Sequence, residues 1–256
     1  MGVSEPPALW RDLRRYTAAR VALGRAGNGL PTSAHLAFQA AHAAARDAVH
    51  TELDVAALQT ELAALGLTSR TARSACTDRQ TYLLRPDLGR TLAEGEAARL
   101  AAAPAPGKLA FVVCDGLSAL AVQRHAAGLL ALVVPALEPG AGIVIARQGR
   151  VALGDGIGAA LGADGVVVLI GERPGLSTPD SLGAYITWQP QPGRTDAERN
   201  CLSNIRPEGL PLPGAAHKLI WLVREMRRLK LSGVDLKDEA PALLPGQDRS
   251  TSALST

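Results

Sequence analysis

Three short, almost wholly apolar runs lie in the second half of this chain: KLAFVVC at 108–114, GIVIAR at 142–147 and VVVLI at 166–170. A strand with one face in water alternates apolar and polar residues. An uninterrupted apolar run instead describes a strand covered on both faces. The segments between these runs are long enough for helical crossovers, and such crossovers join parallel strands. Ser118 in CDGLS is placed to cap a helix running to about Val134, and GDGIGAALGADG at 154–165 reads as a short glycine-bounded helix. AYITWQ at 184–189 is a candidate fourth strand. A helix from about Gly214 to Leu231 closes the series. Leu219, Leu222, Met226 and Leu229 form its stripe, and Arg227, Arg228 and Lys230 sit where the macrodipole favours cations. The fold class is therefore α/β, with a Rossmann-like parallel sheet domain over 105–237.

Residues 1–104 read as a helical N-terminal region preceding that sheet. Trp10–Leu23 carries apolar residues at helical spacing and meets Gly24 as a C-cap. Thr32 or Ser33 could cap a second helix through His50. LDVAALQTELAALGL, closed near Gly66, and RTLAEGEAARLAAA supply two more. APAPGK at 103–108 is a linker by composition, and residues 238–256 read as a disordered tail. Hydrophobic residues make up 47% of the chain but aromatics only 3%, so alanine-rich tracts carry much of the apolar content and lean it towards helix. No run approaches the ~20 apolar residues that span a bilayer, and MGVSEPPALWRDLRR has no apolar core after a basic start. The expectation is no membrane and a cytoplasmic setting. Cys76, Cys114 and Cys201 are odd in number and far apart, which excludes both a disulfide framework and a CxxC metal site. A net charge of +3 raises nucleic acid as a partner, but the basic residues are spread out and stacking aromatics are scarce.

Ligands of open α/β sheets bind outside the carboxyl ends of the strands. CDGLS, ARQGRV and GERPGL leave those ends, which puts Asp115, Arg147, Arg150 and Glu172 on one rim. CDGLSAL lacks the G-x-G-x-x-G that lets amides approach a pyrophosphate, and GDGIG reads as a turn with a close helix contact. There is no P-loop, no HExxH and no G-x-S-x-G, and the five histidines are scattered. Cys201 in ERNCLSNI has two readings, a thiolate near a helix N-terminus or a buried structural cysteine, with the second favoured. In GERPGL, Gly171 leaves room for close backbone approach, Pro174-Gly175 makes a sharp turn, and Glu172 presents an acceptor to amide or hydroxyl donors. Arg173 is expected to pair with a nearby carboxylate. The rim thus describes a pocket for a neutral ligand.

The strings LRRYTAARVALGRAG, HLAFQAAHAAARDAVH, SRTARSACTDRQTYLLRPDLGR, VVCDGLSA, GERPGLSTPDSLGAYITWQP, ERNCLSNIRPEGL and HKLIWLVREMRRLKLSGVDLKD run collinearly from about residue 9 to 239. In them the chain resembles the small (light) subunit of ethanolamine ammonia-lyase. The resemblance implies an adenosylcobalamin site shared with a large TIM-barrel catalytic subunit, in an assembly of six large and six small subunits. The reaction implied is ethanolamine to acetaldehyde and ammonia. Cofactor contacts implied here are Val151 after QGR, Glu172 of GERPG and Cys201 of C-x-S-N-I, with no catalytic residue and no metal ligand. No histidine lies in a D-x-H-x-x-G string, in keeping with a base-on cofactor that keeps its own lower ligand. Some relatives carry an N-terminal extension associated with a bacterial microcompartment, so the family's setting is cytoplasmic with or without that shell. Two rivals stand beside this reading: a stand-alone nucleotide-binding Rossmann-like enzyme and a subunit that only stabilises its partner.

Overall fold

A computed structural model describes residues 8–102, 107–138 and 141–242. The linker residues 103–106 and the tail from 243 onwards lie outside the described residues. The three apolar runs form β2 (Leu109–Cys114), β3 (Gly142–Arg147) and β4 (Gly165–Gly171), and β3, β2 and β4 pair in parallel as expected. Every residue of β2 and β4 is buried. The fourth expected strand is β5 (Leu182–Trp188). It runs antiparallel to β4, and a further antiparallel strand, β6 (Arg199–Ile205), follows it.

A strand also comes from the segment read as wholly helical. It is β1 (Ser69–Arg73), parallel to β3, so the six-stranded sheet runs β1-β3-β2-β4-β5-β6. Only Ala72 of SRTAR is buried, because β1 is an edge strand with a polar outer side.

The helices cover both faces. Helix α1 spans Ala8–Leu13, α2 Thr32–His50, α3 Val55–Ala64, α4 Arg79–Leu84, α5 Glu96–Ala101, α6 Ala119–Leu137, α7 Leu153–Ala160 and α8 Leu212–Leu229. Alternate strand residues sort into two apolar layers. Phe111, Ile145 and Leu169 meet α3, α6 and α8 on one face, while Val112, Val144 and Val168 meet α5 and α7 on the other. Helix α6 has the length and apolarity of a membrane span, which the sequence reading did not register. Ten of its nineteen residues are nevertheless buried, packed against the sheet and α8 as a core helix. Its start is capped as expected, with the Ser118 hydroxyl accepting from the Ala121 amide at 3.2 Å.

Two helical expectations shorten, and a third helix keeps its length but lacks its expected cap. Helix α1 ends at Leu13 rather than Leu23, because the Arg14 guanidinium turns to the carbonyls of Val21 and Ala22 and Ala22 is left-handed at φ 55°. Helix α2 begins at Thr32 with Pro31 before it, and no side chain caps it. Helix α5 occupies only Glu96–Ala101, since Gly95 adopts φ 78°. At the other end, Asp238 pairs with Lys218 at 2.5 Å and the Pro241 carbonyl lies 2.9 Å from His217 Nε2. The first residues of the expected tail therefore lie against α8.

Candidate cofactor-binding site

The carboxyl ends of β2, β3 and β4 open into a cavity of about 1370 Å³, walled by α5 and α7 on the side of the smaller apolar layer. Its small-residue walls come from Ala97 and Ala98 on α5 and from Gly156, Ala159 and Ala160 on α7. The glycines of GDGIG serve packing. A Cβ on Gly154 would sit 2.2 Å from Val168 Cγ2, and one on Gly158 2.5 Å from Pro190 Cγ. The amides of Leu153, Gly154 and Asp155 are spent on the carbonyls of Arg150, Val151 and Ala152 at 2.9, 3.0 and 3.2 Å. This crossover therefore offers no free amide cradle to a pyrophosphate.

Of the four residues expected on the rim, two line the cavity: Arg150 and Glu172. Asp115 instead turns inward. It is buried, accepts from the Gly149 amide at 3.2 Å and faces Arg79 at 3.7 Å, while burial pushes its carboxyl up from the usual range. Arg147 pairs with Glu52 at 3.2 Å. Both tie neighbouring segments to the sheet instead of facing a ligand.

Glu172 leaves β4 already engaged. Its carboxylate accepts from the hydroxyl of Ser181, from the hydroxyl of Ser203 at 2.6 Å and from the Asn204 amide at 3.1 Å. One side chain thus joins the exit of β4 to the start of β5 and the end of β6. Gly171 does permit a close approach, but the approaching backbone is the chain's own. A Cβ there would lie 2.0 Å from the Ser118 carbonyl oxygen and 2.6 Å from that of Asp115. Beyond Pro174 the loop turns at Gly175–Thr178, closed by amide–carbonyl bonds of 3.0 and 3.2 Å. Arg173 lines the cavity and is exposed. Contrary to expectation its guanidinium has no hydrogen bond or ion pair among the described residues.

Val151 lines the same cavity, partly buried against the smaller apolar layer. Cys201 does not line it. It lies on β6 and not at a helix N-terminus, and it is exposed and not buried, so neither reading of its local environment holds. Its cross-strand partner is Tyr185, which does line the cavity. Desolvation raises the pKa of both the Cys201 thiol and the Tyr185 hydroxyl. The structure thus places Val151 and Glu172 on one cavity lining and leaves Cys201 on β6, beside Tyr185 of β5.

Several lining residues were not singled out in the sequence. Tyr82 on α4 is fully buried, with the guanidinium carbons of Arg79 and Arg150 at 4.7 and 4.2 Å from its ring centroid. Its hydroxyl donates to the Gly149 carbonyl at 3.2 Å, and Arg150 returns a bond to the Tyr82 carbonyl at 3.2 Å. The only signal for it was TYLLRPDLGR, inside one of the strings that carry the resemblance. Arg90, Arg194 and Asp196 complete the charged lining.

Arg194 sits in a loop held by Glu198, whose carboxylate accepts from the Thr195 amide at 2.7 Å and the Thr195 hydroxyl at 3.0 Å and pairs with Arg194. The Thr195 amide first, and then Arg194, hold its pKa at about 2, against a usual value of 4.5. A carboxyl depressed by folding contributes stability above its unfolded pKa and loses it as pH falls through the folded one. The contribution of Glu198 is therefore full above about pH 4.5 and vanishes towards pH 2. Glu198→Gln should melt below the wild type at neutral pH and converge with it in acid. A constant difference across that range in pH-dependent melting would contradict the assignment.

The family model described as ethanolamine ammonia-lyase light chain matches residues 7–237. A protein of Azotobacter vinelandii is 59% identical over 240 residues, covering 90% of this chain and 88% of its own length. One from Xanthomonas campestris pv. campestris is 53% identical over 257 residues, covering 97% and 94%. A third, from Ralstonia nicotianae, is 55% identical over 248 residues, covering 93% and 92%. All three carry the name ethanolamine ammonia-lyase small subunit.

Proposed function

Because the chain belongs to the ethanolamine ammonia-lyase light-chain family, we propose that it is the small subunit of that adenosylcobalamin-dependent lyase and helps hold the cofactor. The reaction is ethanolamine to acetaldehyde and ammonia, carried out in a large TIM-barrel subunit, with six copies of each chain. The observation that carries the reading is the cavity at the carboxyl ends of β2, β3 and β4, with Val151 and Glu172 on its lining. When bound, adenosylcobalamin supplies radical chemistry through its Co–C bond; this chain supplies binding and orientation.

The residues present fit such a group. Corrin edges carry methyls and amide side chains. The alanines of α5 and α7 and Val151 offer apolar contact to the first. A carboxylate has about four acceptor positions, and three on Glu172 are used within the chain. Glu172 therefore retains capacity for one amide donor, and the bonds already made hold it in place for that donor. Cys201 would reach the cofactor past Tyr185, at the β6 margin. Among the described residues no histidine lines the cavity, which suits a cofactor that keeps its own base as lower ligand. The assembly is proposed to work in the cytoplasm, free or within a microcompartment.

The N-terminal segment supports a partner. Only Ala48 of α2 is buried, and Trp10, Tyr16, Leu30, Leu36 and Phe38 are 40–86% exposed. An apolar series of that kind is ordinarily covered by another chain. The purified chain alone should show no lyase activity, and turnover should appear on mixing with the large subunit and adenosylcobalamin. Deamination by this chain alone would overturn the proposal.

A further inference from the structure

Charge accounting on the cavity lining leaves an imbalance. Glu172 is saturated by Ser181, Ser203 and Asn204 apart from one position. Arg194 is paired with Glu198, and Asp196 lies 3.4 Å from the guanidinium of Arg199. Three cations on the lining remain without a carboxylate among the described residues: Arg90, Arg150 and Arg173. Arg150 carries a second sign of incompleteness. Its Nε is buried and has no hydrogen-bond partner among the described residues, although the bond from its Nη2 to the Tyr82 carbonyl and its stack on Tyr82 fix the guanidinium in place. A buried N–H without an acceptor is rare in a complete site.

Like charges converging on one concave surface repel, and an anion placed among them relieves that repulsion. Guanidinium groups match the oxygens of phosphate in paired, charge-assisted hydrogen bonds. At the β3 exit the first amides of α7 are already bonded, so a phosphate beside Arg150 is held there by side chains.

Resting on the cofactor reading above, we propose that Arg90, Arg150 and Arg173 form an anion subsite that takes the phosphodiester of the cobalamin nucleotide loop. The cavity then has two recognition elements: the Glu172 side reads amide donors at the corrin edge, and the arginine side reads the one anionic group of an otherwise neutral ligand. This gives Arg173 a role that no carboxylate among the described residues provides.

The test uses the complex of this chain with the large subunit and two probes, adenosylcobalamin and adenosylcobinamide. The second keeps the corrin but lacks the nucleotide and its phosphate. Arg90 and Arg173 are exposed and their guanidinium groups make no hydrogen bond or ion pair among the described residues, so Arg90→Ala and Arg173→Ala should fold as the wild type. In equilibrium dialysis each should weaken adenosylcobalamin binding by roughly tenfold and leave adenosylcobinamide within about twofold. Arg173→Lys should recover part of the loss, and the wild-type preference for adenosylcobalamin should shrink as salt rises. Equal losses for both probes, or none for either, would overturn the subsite while leaving the cofactor reading standing. Weaker assembly of the variants in the absence of cofactor would also overturn it, because the arginines would then face an acidic group of the large subunit. A wild-type complex that binds neither probe would overturn both readings.

Discussion

Arg199→Ala is expected to destabilise the chain by about 3–5 kcal/mol, the usual result of stranding one member of a buried ion pair. The guanidinium of Arg199 donates to both carboxylate oxygens of Asp155 at 2.6 and 2.7 Å, and each side chain is 1% exposed. It also donates to the Thr187 hydroxyl at 3.1 Å and the Arg194 carbonyl at 2.8 Å. One side chain of β6 therefore fastens β5, the loop carrying Arg194, and α7, which walls the cavity. Removing it leaves the buried Asp155 carboxylate in a medium that solvates it poorly. For a chain of this size the loss corresponds to a fall in Tm of roughly 10 °C. The control is the surface pair of Arg85 and Asp87, equally short at 2.6 Å but 59% exposed on both sides. Arg85→Ala should leave stability near that of the wild type, because solvent screens an exposed pair. Replacing Asp155 and Arg199 together by apolar residues of similar volume should recover much of the loss, because the damage comes from the stranded charge. Denaturant unfolding of these three variants beside the wild type distinguishes the cases. An Arg199→Ala variant as stable as Arg85→Ala would show that the pair does not anchor α7.

What could be read beforehand follows from where each segment's partners lie. Strands β2, β3 and β4 were legible because both faces are buried, and burial on both sides writes itself as continuous apolar sequence. SRTAR and RNCLSNI were not. Each forms an edge of the sheet, with one and three residues buried respectively, so nothing periodic marks them. Helix α1 was overextended because apolar spacing continues past Leu13, whereas the turn is set by Arg14 reaching carbonyls seven and eight residues ahead. The rim was legible as a location, since strand ends follow from the strands. Which rim side chains face the cavity was not. Asp115 and Arg147 turn to Arg79 and Glu52, partners far away in sequence that local pattern cannot name. Glu172 shows both sides of this. Its place at the mouth of β4 follows from VVVLI, but its donors from Ser181, Ser203 and Asn204 follow only from the antiparallel return of β5 and β6.

Tyr82→Ala carries the second large expected effect. A fully buried aromatic ring truncated to a methyl costs about 3–5 kcal/mol through lost burial and the cavity left behind, and Tyr82 is 0% exposed. Two arginines stack on this ring, one from its own helix and one from the β3 exit, so truncation also frees the guanidinium that adjoins Val151. Arg150 would keep only its bond to the Tyr82 carbonyl and its own amide bond to the Gly89 carbonyl at 2.7 Å. Tyr82→Phe separates these contributions. It preserves the ring and both stacks and deletes only the 3.2 Å bond to the Gly149 carbonyl, a loss of about 1 kcal/mol. In urea unfolding the order should be wild type, then Phe slightly below, then Ala far below. Cofactor affinity of the assembled complex should track the ring and not the hydroxyl, with Phe near wild type and Ala weakened. If Phe were as damaging as Ala, the hydroxyl bond to the β3 loop would hold the site and the stack would be incidental. If Ala were harmless, α4 would be no part of the support beneath Arg150 and Val151. The expected order follows from the two arginines stacked on one ring, because charge on the rim can be aimed only if the apolar surface beneath it is rigid.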